Sequence, residues 1–188
     1  MPMDGFVILW VMVGLVVFWS VGAHNRLVRL RSQAIAAFVA VDHHFMQYVQ
    51  LIRTNAYFTN DSGLAELITT PVDSLSQAWV GLDGAATQFE VSLKMVRAHP
   101  LDAAAVEALQ TAYSTLRSSW DRVQNEPPDL AGHRLPDVLQ QEWAHVSLLI
   151  SPVSAHFNHL VVAYNAALTQ FPANMLAHLL MLKPGRIL

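Results

Sequence analysis

FVILWVMVGLVVFWSVGA, residues 6 to 23, holds no charged side chain. As a helix it covers roughly 27 Å of a hydrocarbon layer about 30 Å thick. It therefore predicts one transmembrane helix, with residues 1–5 outside and Trp10 and Trp19 in contact with lipid. A cleaved signal peptide is the competing reading, and Val21-Gly22-Ala23 offers the small residues that a signal peptidase takes. Against it, MPMDG carries Asp4 and neither Lys nor Arg, where a signal peptide wants a basic leader. Arg26, Arg29 and Arg31 follow the stretch instead, and positive charge beside a span marks its cytoplasmic side. The expected topology is single-pass, with the N-terminus outside and the remainder in the cytoplasm.

Composition agrees with a chain that lives partly in lipid. Hydrophobic residues make up 53% of the 188 and charged ones only 13%. Cysteine is absent, so disulfides, thiolate zinc sites and cysteine nucleophiles drop out. The formal charge of −3 is mild, and no basic stripe suits nucleic acid.

Past the span, apolar residues recur at alternating spacings of three and four, the mark of one buried helix face. Residues 71–98 give Val72, Leu75, Trp79, Leu82, Ala86, Phe89, Leu93 and Val96. Residues 102–126 give Val106, Leu109, Tyr113, Leu116, Trp120 and Val123, and residues 137–170 give Leu139, Trp143, Val146, Ile150, Val153, Phe157, Leu160, Tyr164 and Ala167, then Phe171, unbroken. Nearer the membrane, Ile35, Phe38, Phe45, Val49, Ile52 and Ala56 keep a register on which Arg31 and Asp42 also fall. Between Phe6 and Tyr57 only Gly14 and Gly22 interrupt helix-forming sequence, so span and first bundle helix are expected to be one rod.

Punctuation separates four helices. TNDSG at 59–63 ends the first, Thr69-Thr70-Pro71 caps the second, His99-Pro100 divides second from third, and the longest loop runs from Pro127-Pro128 to Pro136. Pro152 predicts a kink in the fourth. Four antiparallel helices return the chain to its starting end. The expected fold is therefore all-α: a transmembrane helix continuous with an up-and-down four-helix bundle over 24–172, then a short amphipathic helix within the apolar segment 173–188. Phe171-Pro172 should land near the lipid surface. Met175, Leu176, Leu179, Leu180 and Leu182, with Lys183 and Arg186 beyond, suit a helix lying in the interface, and equally a cap on the bundle's open end.

Candidate chemistry is sparse. The phosphate-loop, dinucleotide, nucleophile-elbow and zinc-protease motifs do not occur, and no cofactor is expected. His145 and His156 share a face but stand about 16 Å apart along the axis, too far for one ion. His156 and His159 lack the glutamates that bundle metal sites pair with histidine, so no metal is expected. Asp42 on a core register needs a donor or an exit to water, and reads either as a polar centre fixing register or as an edge residue. Asn158 and Asn165, seven apart beside Phe157 and Tyr164, are expected to bond the adjacent helix in a structural role.

These residues bring a resemblance into view. Tyr164-Asn165-Ala-Ala-Leu168-Thr-Gln-Phe171-Pro172-Ala-Asn174-Met-Leu-Ala177 resembles the closing motif YN..I..FP.N..A of the LemA family of bacterial membrane proteins, with Phe157-Asn158 where that family often repeats Tyr-Asn. Asn25-Arg-Leu27-Val28-Arg-Leu-Arg31 and Ala37-Phe38-Val-Ala-Val41-Asp42 are similar to its YN.LV..R and AW..ID elements. The likeness covers about a third of the chain by these motifs. It departs at Gln50 to Ala56, where the family's DLIPNLV has a proline, and at His24, which replaces an aromatic. The resemblance implies a cytoplasmic four-helix bundle behind a short external N-terminus. A magnetosome-associated branch of the family implies work in membrane or organelle organisation.

Together these features favour a non-enzymatic, membrane-anchored scaffold that meets lipid and either an unidentified protein partner or a second copy of itself. One alternative is a sensor whose bundle lies outside the cell and binds a small ligand. An enzyme whose site only folding assembles, with Asp42 as a member, ranks third.

Overall fold

The computed structural model describes residues 3–60, 74–126, 135–171 and 173–188. Pro172, Val72 and the expected punctuation at 61–71 and 127–128 lie outside the described residues, as do the side chains of 56–60, Ala56 among them. Five helices form within them: α1 (Met3–Asn60), α2 (Ser74–Ala98), α3 (Ala103–Asn125), α4 (Asp137–Thr169) and α5 (Ala173–Leu179). The chain is all-α, a long apolar N-terminal helix continuous with a packed bundle and followed by a short C-terminal helix. No strand occurs among the described residues.

α1 runs 58 residues without interruption, about 87 Å at the standard rise. Its first part, Phe6 to Val21, leaves every large apolar side chain exposed, and the helix is long and apolar enough to cross a membrane. Gly14 and Gly22 have open space where a side chain would project, so this surface is free to approach another helix. Further on the same helix enters the core through Ala34, Phe38, Val41, Phe45, Tyr48 and Ile52, all buried. That seam departs from the expected one at three places. Ala34 replaces Ile35, which is exposed, and Val41 and Tyr48 join in. Asp42 consequently moves to the seam's edge and Arg31 to the surface. The aromatic side chains select this face: Phe38 meets Phe157 of α4 at 5.7 Å, Phe45 meets Phe89 of α2 at 5.2 Å, and Tyr48 meets Trp143 of α4 at 4.1 Å between ring centroids.

The seams of α2, α3 and α4 bury the expected residues, except that Leu75, Tyr113, Val153 and Leu160 are only partly covered and Phe171 is exposed. Asp102 caps α3, its carboxylate accepting from the Ala104 N–H at 3.3 Å. α4 continues through Pro152, which has no N–H to donate to the preceding turn. α1 lies along α4, α2 along α3, and α1 also against α2. Contact between α3 and α4 is much sparser; Trp120 stacks on Trp143 there at 4.2 Å with the rings 7° from parallel.

The fourth helix returns to the first where the exposed apolar stretch of α1 ends. Leu27, Tyr164, Ala167, Leu168, Ala173 and Ala177 form a second buried cluster, flanked by Ala23 and Leu30. The Arg26 guanidinium donates to Gln170 at 2.9 Å, and Phe171 meets Trp19 edge to face at 5.1 Å. Tyr164 to Phe171 therefore stands beside residues 19–30, as an even number of passes requires.

Candidate functional site

At the end of the bundle next to α1's exposed apolar stretch, α5 presents two different faces. Ala173 and Ala177 pack on the Leu27 cluster, and small side chains let the helix lie close to α1 and α4. On the other side Met175, Leu179 and Met181 are exposed, while Leu176 is partly covered and Leu180 about half exposed. The helix thus caps the bundle end and offers an apolar outer surface at the level of Trp19 and Phe171. Packing of α5 on the bundle end agrees with the expected cap.

A reversal follows. The Leu182 N–H donates to the Ala177 carbonyl at 2.9 Å and the Met181 N–H to the His178 carbonyl at 3.3 Å. Met181 has φ 51°, the left-handed position of this kind of helix end, which usually takes glycine. Beyond it the chain runs back along the bundle toward the N-terminal half of α4, so Lys183 and Arg186 do not extend α5.

The tail lies in the gap between α3 and α4. The Tyr164 hydroxyl donates to the Lys183 carbonyl at 3.3 Å. The Asn165 side chain donates to the Gly185 carbonyl at 2.8 Å and accepts from the Gly185 N–H at 2.8 Å. Asn158 does the same for Leu188, at 2.9 and 2.7 Å. Seven residues of helix span about 10 Å, and three residues of extended chain span about the same. The tail is therefore nearly fully extended, with the two asparagines in step with it. From α3, Gln110 donates to the Ile187 carbonyl at 3.0 Å and Glu107 accepts from Arg186 at 2.8 Å.

Chemistry explains the choice of residue. A helix has already used its backbone groups, so an extended segment laid on it finds no ladder partners, yet its buried N–H and C=O groups need them. The planar amide of asparagine carries one donor edge and one acceptor edge, and so imitates a neighbouring strand. Asparagine is a poor helix former, which makes two of them inside α4 a signal of side-chain work. Their partner is the chain's own tail and not the adjacent helix that sequence reasoning expected. That reasoning missed Gly185, Gln110 and Glu107. The Pro184-Gly185 pair reads as a turn from sequence, and no periodicity marks an extended strap.

The other expected residues scatter. Asp42 is bound by the Arg97 Nε of α2, 2.9 Å from each carboxylate oxygen, so it links α1 to α2 at the rim of the seam. Asn25 is exposed with no hydrogen bond among the described residues, and the exposed Asn174 contributes its backbone N–H to the Gln170 carbonyl at 2.9 Å. Arg29 and Arg31 are exposed. Arg31 borders a cleft of about 620 Å³ with His99, Tyr164 and Lys183. Trp10 is exposed on the span, edge to face with Phe6. No group of three or more His, Asp or Glu side chains suited to a metal ion occurs among the described residues.

Burial pushes the phenol of Tyr164 above its ordinary value against the pull of Arg31, and that of Tyr48 likewise, despite its 2.6 Å hydrogen bond with Ser147. Glu90 is held below the usual carboxylate range, first by the hydrogen bond from Lys94 and further by the charge of Arg53.

No protein-family model, no curated protein and no solved structure matches this chain.

Proposed function

We propose that the chain is a LemA-like, membrane-anchored helical scaffold without catalytic activity, its N-terminus outside a bacterial membrane and its bundle in the cytoplasm. It meets a protein partner or a second copy of itself, in work of membrane or organelle organisation. The observation that carries this reading is the unbroken α1, in which a fully exposed apolar stretch and a fully buried bundle seam belong to one rod. A bundle joined so stiffly to a span keeps a fixed attitude to the bilayer, which suits presentation of a surface. The small-residue positions Gly14 and Gly22 support contact between spans, and Arg26, Arg29 and Arg31 beside the span support the cytoplasmic placement of the bundle.

Crosslinking of the anchored protein in native membranes, followed by native mass measurement, tests the reading. Oligomers or a defined co-purifying protein are expected, and isolated monomers alone overturn it. Topology is read separately. The chain lacks cysteine, so single cysteines at exposed positions report sidedness without background. A membrane-impermeant thiol reagent applied outside should spare Val80→Cys on the bundle. Labelling at that position favours the external sensor.

A further inference from the structure

Beside the end of α5 a cleft of about 620 Å³ opens between α1, α4 and the turn that joins α2 to α3. Its inner wall is apolar: Ile35 of α1, Leu101 of the turn, and Leu182, together with the buried Tyr164. Charge stands on its rim. Arg31 comes from α1, His99 from the turn after α2 and Lys183 from the residues after α5, all three exposed. Among the described residues neither Arg31 nor Lys183 is ion-paired, whereas Arg53, Lys94, Arg97 and Arg186 each meet a carboxylate. Asp102 also lines the cleft, but its carboxylate is turned to the α3 backbone that it caps. Lys183 is held in place, since its carbonyl accepts from the Tyr164 hydroxyl at 3.3 Å and Gly185 beyond it is bound by Asn165. Two cations far apart in sequence are thus brought to one opening.

Position says what the cleft faces. Arg31 follows Ala23, the last residue of the uncharged stretch, by eight residues, about 12 Å along the axis. A helical side chain leans toward the N-terminus of its own helix, here toward that stretch, and an arginine stem reaches about one turn. The guanidinium therefore comes to the level of the headgroup layer, which is roughly 5–7 Å deep on each side of the hydrocarbon. α5 packs on Leu27 and so stands at this level too. Just past it Leu180 and Met181, both exposed, form an outer lip, so the opening has an apolar border beside its charged one.

We propose that this cleft binds the headgroup of an anionic phospholipid. The phosphodiester is held between Arg31 and Lys183, with the His99 imidazole as a further donor, and the acyl chains pass over Leu180 and Met181. The planar fork of a guanidinium matches two phosphate oxygens, and the lysine ammonium adds a point charge. A cleft of this size lies within the range of about 300–1,000 Å³ that small-molecule sites occupy. An acidic protein segment would use the charges alone and leave the apolar lip uncovered. The proposal rests on the membrane-anchored reading and assigns it a lipid.

The test adds phosphatidylglycerol or phosphatidylcholine to the full-length protein in detergent micelles and reads retained lipid by native mass measurement. One phosphatidylglycerol per chain is expected, retained at least tenfold better than phosphatidylcholine. Arg31→Gln and Lys183→Gln should each reduce that retention about fivefold, the effect of one basic side chain beside an anionic lipid. Arg29→Gln removes an equal charge from the same helix but outside the cleft, and should change retention less than twofold. All three side chains are exposed, so the bundle folds without them. Equal losses in Arg29→Gln and Arg31→Gln overturn the proposal in favour of diffuse attraction. Equal retention of the two lipids overturns it as well, and leaves the cleft to an acidic protein segment. Excess inorganic phosphate should not displace the bound lipid; displacement would make the cleft a site for a free anion and overturn the lipid assignment. Crosslinked oligomers in native membranes alongside equal retention of the two lipids would remove the cleft and leave the anchored scaffold standing.

Discussion

Asn165 grips Gly185 with both ends of its amide, donating to the carbonyl and accepting from the N–H at 2.8 Å each. Replacing Asn165 with alanine strands two backbone groups in a partly covered groove. A lost hydrogen bond contributes about 0.5–1.5 kcal/mol, and a stranded buried group costs about 1–3 kcal/mol. Asn165→Ala should therefore lower stability by at least ~1 kcal/mol in denaturant titration. Asn158→Ala should do the same at Leu188. If both variants melt like the parent protein, the strap is not bound in solution.

The aromatic stack at the far end is a stronger test of the bundle. Trp143 lies against Trp120 at 4.2 Å and Tyr48 at 4.1 Å, is largely buried, and is the main bridge between α3 and α4 at that end. Truncating a buried tryptophan to alanine costs about 3–5 kcal/mol, because the site cannot collapse fully around the loss. Trp143→Ala should cost that much. The near-ultraviolet circular dichroism of the stacked indoles should also vanish both in Trp143→Ala and in Trp120→Ala.

The ion pair of Asp42 and Arg97 answers a smaller question. Arg97 is about two-fifths exposed, so solvent screens the pair. A double-mutant cycle with Asp42→Ala and Arg97→Ala should give a coupling of about 0.2–1 kcal/mol that shrinks in high salt. A coupling of several kcal/mol, insensitive to salt, would make Asp42 a buried polar centre after all.

Alkali and acid should act through different residues. Burial raises the phenols of Tyr48 and Tyr164 above the ordinary value of 10.0. An unfolded chain loses those protons near pH 10 while the folded chain keeps them. The stability they contribute is thus fully present below pH 10 and is lost as pH rises through the folded values. The melting temperature should fall above pH 10, less steeply in Tyr164→Phe. Glu90 has the opposite sign: its carboxyl is depressed from 4.5, so its contribution is present above that pH and disappears as pH falls through the folded value. Glu90→Gln should flatten the acid limb and leave the alkaline limb unchanged.

Among the described residues, helix order and the return of the fourth helix to the first were legible because seams of period three-and-four repeat in the sequence, from Leu82 to Val96 and from Leu139 to Ala167. The face of α1 was harder. Ile35 and Ala34 are adjacent residues with similar claims on a core, Tyr48 is buried beside the expected Val49, and only the aromatic partners on α2 and α4 fix the face. The strap was illegible for a different reason. Its energy lies in backbone hydrogen bonds, which every residue but proline can donate, so KPGRIL carries no pattern. Only its receptors left a trace, as two asparagines seven apart where a helix prefers other residues.

The outer face of α5 yields the last prediction. Ala173 and Ala177 fix the helix on the cluster around Leu27, so Leu179, 77% exposed, and Met181, 86% exposed, point away from the bundle. Trp19 touches Phe171 only a few residues before α5, which sets the helix level with the C-terminal end of α1's exposed apolar stretch. Leucine there gains about 25 cal/mol for each Å² of apolar surface that lipid covers, without a change in the bundle's own packing. A spin-labelled lipid should quench a fluorophore on Leu179→Cys strongly and one on Leu148→Cys weakly, since Leu148 is similarly exposed but stands in the N-terminal half of α4, far from α5. Leu179→Asp should keep the thermal stability within about 0.5 kcal/mol and lower quenching of a label at Met175→Cys. Equal quenching at 148 and 179 would place α5 in water, where a capping role alone accounts for it.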